Sequence, residues 1–191
     1  MDHAMPGKDQ SNKLMDAIVT DHREVEQMFR ELEQGVPEPA DRRALVDKVI
    51  IELVRHSVAE EQLLYPAARK LLPDGDETAD RELAEHAEAE RTMDRLHGLD
   101  AENPEFEPLL RQLMTEIREH VHDEESMLLP RLTTAAGLEG TNRMGSMIEA
   151  AKKVAPTRPH PDAPDTPPGN VMNSFTGLVD RMRDAFSGRG R

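Results

Sequence analysis

Residues 56 to 66 read His-Ser-Val-Ala-Glu-Glu-Gln-Leu-Leu-Tyr-Pro, and residues 120 to 130 read His-Val-His-Asp-Glu-Glu-Ser-Met-Leu-Leu-Pro. Both have the form HxxxEExxLxP and lie 64 positions apart. The same shift lays Asp21-His22 on Glu85-His86, Glu24 on Glu88, Glu26 on Glu90 and Leu32 on Leu96. Each half therefore reads His, 33 residues, then HxxxE, a gapless register that marks a duplicated unit. A His and a Glu four residues apart share one helical face. Four such faces brought together make a metal pocket.

The apolar periodicity predicts four helices. The first runs from about Ser11 to Gln34, capped by Ser11 or Asn12 and stopped by Gly35 and Pro37. Leu14, Ile18, Val25, Phe29 and Leu32 point inward, with His22 on the same face. The second runs from Asp41 to near Leu72, with rows Val49, His56, Leu63 and Val46, Leu53, Glu60, Ala67. The third spans roughly Thr78 to Leu99, with rows Ala79, His86, Met93 and Leu83, Glu90, His97. The fourth, about Glu105 to Thr133, has rows Leu113, His120, Met127 and Leu110, Ile117, Glu124. Short connections between helices this long imply an antiparallel up-down four-helix bundle. No strand pattern competes, so the fold class is all-α.

Around the bundle, read as residues 11–134, composition shifts. Residues 1–10 are a polar leader. Residues 135–170 form a Gly/Pro-rich linker with a weak helix from Met144 to Val154, and six prolines crowd residues 156–169. Residues 171–186 space Val171, Phe175, Leu178, Val179, Met182 and Phe186 as a short amphipathic helix. Docking on its own bundle or on a sister subunit is the expectation for that helix, rather than a membrane surface.

Bundle cores take Leu or Ile, and an unpaired buried imidazole or carboxylate costs several kcal/mol. Here histidines and glutamates stand in the apolar rows of all four helices, in two-fold register. A His–Glu hydrogen-bond network or outward-facing rings would explain one such pair; a pair of transition-metal ions explains the set. Imidazole with carboxylate suits iron, manganese or zinc, and the absence of cysteine disfavours soft sites. Glu60 and Glu124, equivalent and mid-bundle, can each bridge two ions, with His22, His56, His86 and His120 as terminal ligands. Such a centre with open positions suits oxygen, peroxide or nitric oxide chemistry.

With HxxxE on the second and fourth helices and a lone His on the first and third, residues 14 to 133 resemble the hemerythrin-like HHE cation-binding proteins. The Pro-rich tail and last helix resemble, more loosely, extensions on actinobacterial members. The resemblance implies a four-helix bundle holding two non-heme iron ions, oxo- or hydroxo-bridged. His22, His56, Glu60, His86, His120 and Glu124 match the family's ligand motif. Oxygen-carrying members have a second His four residues after that of the third helix, where this chain has Glu90. Glu90 is expected to be a seventh ligand, while its repeat partner Glu26 fits the inward stripe less well. An anionic ligand favours ferric over ferrous iron, so the resemblance points to peroxide or nitric oxide turnover, in the manner of catalase-like or peroxidase-like relatives, before oxygen carriage.

Other candidates weigh less. Tyr65, the single tyrosine, packs at the bundle edge, or serves the site as a hydrogen-bond donor or redox-active phenol. Glu61 and Glu125 follow the glutamate ligands by about 100° and face solvent or a neighbouring helix. His122 breaks the repeat and is read as peripheral, and His97 lies about two turns from the site. The net charge of −14 argues against nucleic acid and anionic membranes. No run approaches the ~20 apolar residues of a membrane span. A mean hydropathy of −0.68 is low for a fully packed chain, so part of it is expected to be unpacked, and the lack of cysteine fits a cytoplasmic protein. The expected function is an oxidative or nitrosative stress protein reacting with a small ligand (O2, H2O2 or NO). The rival is an oxygen- or iron-sensing or storage module without turnover.

Overall fold

The structure, a computed structural model, describes residues 12–159. Asn12 caps the first helix, its side-chain oxygen accepting the Met15 N–H at 3.3 Å, and α1 runs Lys13–Gln34. Gly35, at φ +98°, ends it in a backbone region that favours glycine. The chain returns as α2 (Pro39–Ala59), a π-helical turn (Glu60–Leu64) and α3 (Tyr65–Leu71). After α4 (Gly75–His97) and α5 (Phe106–Asp123), a second π-helical turn (Glu124–Leu128) leads into α6 (Leu129–Lys152). The described residues contain no strand, and four helical rods pack together as a bundle.

Both π turns begin at the duplicated glutamates and end two residues before a proline. Pro66 and Pro130 lack an N–H, and their rings crowd the carbonyl four residues back. The N–H groups of Tyr65 and Leu129 instead reach back five residues, to the carbonyls of Glu60 and Glu124. The extra residue advances the inward face by one position. Leu64, Tyr65 and Ala68 are buried, whereas Leu63 and Ala67, expected inward, are partly covered. On the fourth rod Met127 is 41% exposed, and Leu128 and Leu129 are fully buried in its place.

The third rod also departs from the expected rows. Ala79, His86 and Met93 are buried as predicted, but their companions are Glu82, Ala89 and Leu96. Leu83 and Glu90 are partly covered and His97 is exposed. Either row completes a heptad pattern with Ala79, His86 and Met93. Ala89 and Leu96 offer apolar surface where Glu90 and His97 do not, and burial decides between them.

The fourth rod runs past Thr133 to Gly137, whose φ of +66° and ψ of 172° turn the chain back. Residues 138–152 then lie along α1. Thr141 and Ile148 are fully buried, and Asn142 Oδ1 accepts the Lys13 N–H at 2.9 Å. A Cβ on Gly145 would fall 2.4 Å from the Lys13 carbonyl, so only glycine permits this approach. The glycines that make the segment read as a weak linker helix let it pack closely, and residues 135–152 belong to the folded body. The expected leader and the helix over 171–186 lie outside the described residues.

Two apolar clusters fill the bundle. One gathers Val25, Phe29, Leu53, Met93, Leu113 and Ile117, and the other Leu14, Ile18, Leu64, Tyr65, Leu128 and Ile148. Each rod also carries a buried His, and between the two clusters lies the polar layer of the candidate site.

Candidate metal centre

His22 (α1), His56 (α2), His86 (α4) and His120 (α5) are each 4–6% exposed, and Glu60 and Glu124 are 0% exposed. The imidazoles meet through Nε2, at 3.2 Å for His22–His56 and 3.2 Å for His86–His120. His56 Nε2 lies 2.9 Å from Glu60 Oε1, and His86 Nε2 lies 3.5 Å from Glu60 Oε2. His22 Nε2 lies 3.4 Å from Glu124 Oε2. Glu60 therefore reaches both halves. Three sets of ligand atoms could each hold a metal ion: His22, His56, Glu60 and Glu124; Glu60, His86 and His120; and, through the outward Nδ1 of His120, Glu82, Glu85 and His120.

Close as these atoms are, none of the four carboxylate oxygens of Glu60 and Glu124 has a hydrogen-bond partner of good geometry. Native proteins rarely leave buried carboxylate oxygens unsatisfied, because each costs of order kcal/mol. Orphaned oxygens facing a ring of nitrogens are what a cation would satisfy. The residues present fit a metal.

Behind each imidazole stands a carboxylate. Nδ1 of His22 donates to Glu125 Oε1 at 2.9 Å, and Nδ1 of His86 to Glu61 Oε1 at 3.0 Å. Nδ1 of His56 donates to Asp21 Oδ2 at 3.1 Å, and Nδ1 of His120 to Glu85 Oε2 at 2.9 Å. Glu61 and Glu125 are repeat mates, as are Asp21 and Glu85, so the duplication covers the supports as well as the inner ring. A carboxylate on Nδ1 fixes the tautomer and turns the Nε2 lone pair inward, as metal-binding histidines require. Of the two placements expected for Glu61 and Glu125, the one toward a neighbouring helix holds.

Surplus negative charge polarises the layer. Burial disfavours a charged His56, but Glu60 beside it and the Asp21 bond outweigh burial and lift it to about 10. Burial and the charge of His120 hold His86 down at about 4. Burial likewise opposes charge on His120, yet its bonds to Glu82 and Glu85 raise it well above the usual imidazole range. Glu124 drops to about 2 despite burial, because the His22, His120 and His56 rings crowd around it. In metal-free protein, protons take the place of cations.

The other candidates fall as follows. Glu90 is partly exposed and joins none of the three sets of ligand atoms. Glu26 bonds Arg118, at 2.9 and 3.2 Å. Glu82, which sequence reasoning missed, is fully buried one turn before His86, with Oε2 3.3 Å from His120 Nδ1. Its repeat mate is Ile18, so the register gave no warning; the signal was its place in a row with Ala89 and Leu96. Tyr65 is 1% exposed within the second apolar cluster, and its hydroxyl donates to Nε2 of His86 at 2.8 Å. The hydrogen bond is realised, and the ring packs in the bundle interior rather than at its edge. His122 is exposed, as is His97.

The chain matches the Hemerythrin HHE cation binding domain over residues 13–132. It is 31% identical over 174 residues to a hemerythrin-like protein of Schizosaccharomyces pombe, covering 90% of this chain and 85% of that one. It is also 31% identical over 144 residues to a DNA nickase of Nostoc sp., covering 75% of this chain but 40% of that protein's length. No solved structure gives a significant match. Among the described residues, no helix is long and apolar enough to cross a membrane. The chain belongs to the hemerythrin HHE cation-binding family.

Proposed function

We propose that this chain is a non-heme di-iron protein that turns over peroxide or nitric oxide, or reacts with dioxygen, in oxidative or nitrosative stress in the cytoplasm. His22, His56, Glu60 and Glu124 would hold one iron, and Glu60, His86 and His120 the other. When bound, the pair supplies one-electron redox chemistry toward small oxygen- and nitrogen-containing ligands. Asp21, Glu61, Glu85 and Glu125 keep the four rings oriented through Nδ1.

The observation that carries the reading is a cavity of about 20 Å³ lined by all four histidines together with Val25, Leu53 and Ile117. A single water needs about 10–15 Å³, so the cavity admits a ligand of one or two heavy atoms and no organic substrate. Its apolar wall favours neutral molecules. A groove of about 320 Å³ between α1 and α5 shares His22, Val25, Ile117 and Val121 with the cavity. Turnover is favoured over reversible oxygen carriage because carboxylate charge around the irons stabilises the ferric state. Glu82, 3.3 Å from His120 Nδ1 and bonded by Arg81 at 2.8 Å, stands behind one of the four rings.

The DNA-nicking activity named for the Nostoc relative is not carried over. A net charge of −14 repels a polyphosphate, and the chain spans 40% of that protein's length. The test is to load the protein with ferrous iron, add hydrogen peroxide or nitric oxide, and follow consumption with the visible spectrum. Multiple turnovers, slowed when Ile117→Trp fills the cavity, are expected. An oxygenated spectrum that survives repeated cycling would mark a carrier instead. Metal-dependent ordering of residues 171–186 without turnover would mark a sensor.

A further inference from the structure

Asp21 is the support of His56, and it does not stand alone. The Lys152 ammonium donates to Asp21 Oδ1 while Asp21 Oδ2 accepts from His56 Nδ1 at 3.1 Å. Both members are well covered, Asp21 at 11% and Lys152 at 17% side-chain exposure. A pair so shielded from water keeps a defined geometry that an exposed pair would not. The line runs Lys152, Asp21, His56, then Glu60 at 2.9 Å. It ends on the carboxylate that both halves of the centre share.

The repeat shows what is unusual here. Glu85, the mate of Asp21, holds His120, and the cation near it, Arg81, stands one turn earlier on its own helix, 3.9 Å from Glu85 and bonded to Glu82 at 2.8 Å. Asp21 has no such cation on α1, where the equivalent of Arg81 is Ala17. Its cation comes from residues 138–152, beyond the matched domain at 13–132. The other charged group near Lys152 is Glu149, 4.0 Å away and half exposed. Three features seat Lys152: the turn at Gly137, the close approach of Gly145 to Lys13, and burial of Ile148.

We propose that Lys152 is a positioning residue of the metal centre, fixing the His56 ring through Asp21, so that the appended limb sets how tightly the ion at His22 and His56 is held. The inference rests on the di-metal reading above. A free Asp21 carboxylate can rotate away from His56; one clamped by an ammonium cannot. The lysine then adds to the difference in retention that the four-residue and three-residue ligand sets already give the two sites.

The test compares full-length iron-loaded wild type with Lys152→Met, Lys152→Arg, Gly145→Ala and Glu149→Gln, reading iron release to an excess of chelator. Loss of an outer-shell partner typically weakens a metal site by about 10–100-fold. Lys152→Met is therefore expected to release one ion about 10–100-fold faster than wild type and the other at the wild-type rate. Lys152→Arg should restore retention, and Glu149→Gln should leave it unchanged. Gly145→Ala, which lifts the limb from α1, should reproduce the selective loss while the lysine is still present. A Lys152→Met protein that releases both ions as wild type does, or both equally fast, overturns the proposal. A wild type that binds no metal would sink the di-iron reading instead. Lys152 is then judged in metal-free protein by exchange of the His56 Nδ1 proton, which Lys152→Met should accelerate and which, if unchanged, also overturns it.

Discussion

Four imidazoles, each with a carboxylate on Nδ1 and its Nε2 turned inward, give the centre a pH signature of its own. His56 sits at about 10 in the folded protein against 6.5 unfolded, so it contributes stability below pH 6.5 that is lost as pH rises toward 10. His86 sits at about 4 against 6.5, so the unfolded chain binds its proton first and stability falls as pH drops from 6.5 toward 4. Thermal melts of metal-free protein should therefore peak near pH 6.5 and decline on both sides. A flat profile between pH 5 and 9 would mean that these rings are not buried among carboxylates. Metal binding needs the neutral rings, so metal affinity should instead rise with pH and uptake should release protons. The inner ring was legible because six residues fell into two-fold register. The supports were harder to read, since Glu61 and Glu125 point away from their own helix's inward face and reach the next helix's histidine.

The helices themselves were legible to within a few residues, but their phase was not. A heptad pattern carried through Pro66 and Pro130 assumes an unbroken α-helix, and each π turn inserts one residue into that pattern. The proline in HxxxEExxLxP was the available signal; it reads as a tolerated helix residue until the missing N–H is counted. The shift is testable by paired substitutions in urea unfolding. Leu64→Ala, at 0% exposure, should cost about 2–5 kcal/mol, and Leu63→Ala clearly less. The same ranking should hold for Leu128→Ala over Met127→Ala, the latter side chain being 41% exposed. Equal costs would restore the unbroken helix. On α4 the choice of row was the same kind of problem, and it exchanged Glu90 for Glu82.

The whole molecule is a duplicated bundle made asymmetric by what was added to it. Tyr65 stands where the repeat has Leu129, Glu82 stands where it has Ile18, and Lys152 supports one half alone. The limb that carries Lys152 was the least legible part of the described chain, because Gly140, Gly145 and few large apolar residues resemble a linker until α1 is there to receive them. What holds the account together is the claim that orphaned Glu60 and Glu124 oxygens face metal ions. The measurement that decides it is metal stoichiometry by mass spectrometry after anaerobic ferrous loading, in wild type and in Glu60→Ala. About two irons per chain in wild type, and fewer in a folded Glu60→Ala protein, are predicted. Wild type that retains no stoichiometric metal, with a fold that Glu60→Ala leaves untouched, would contradict the account and leave a polar-cored structural bundle.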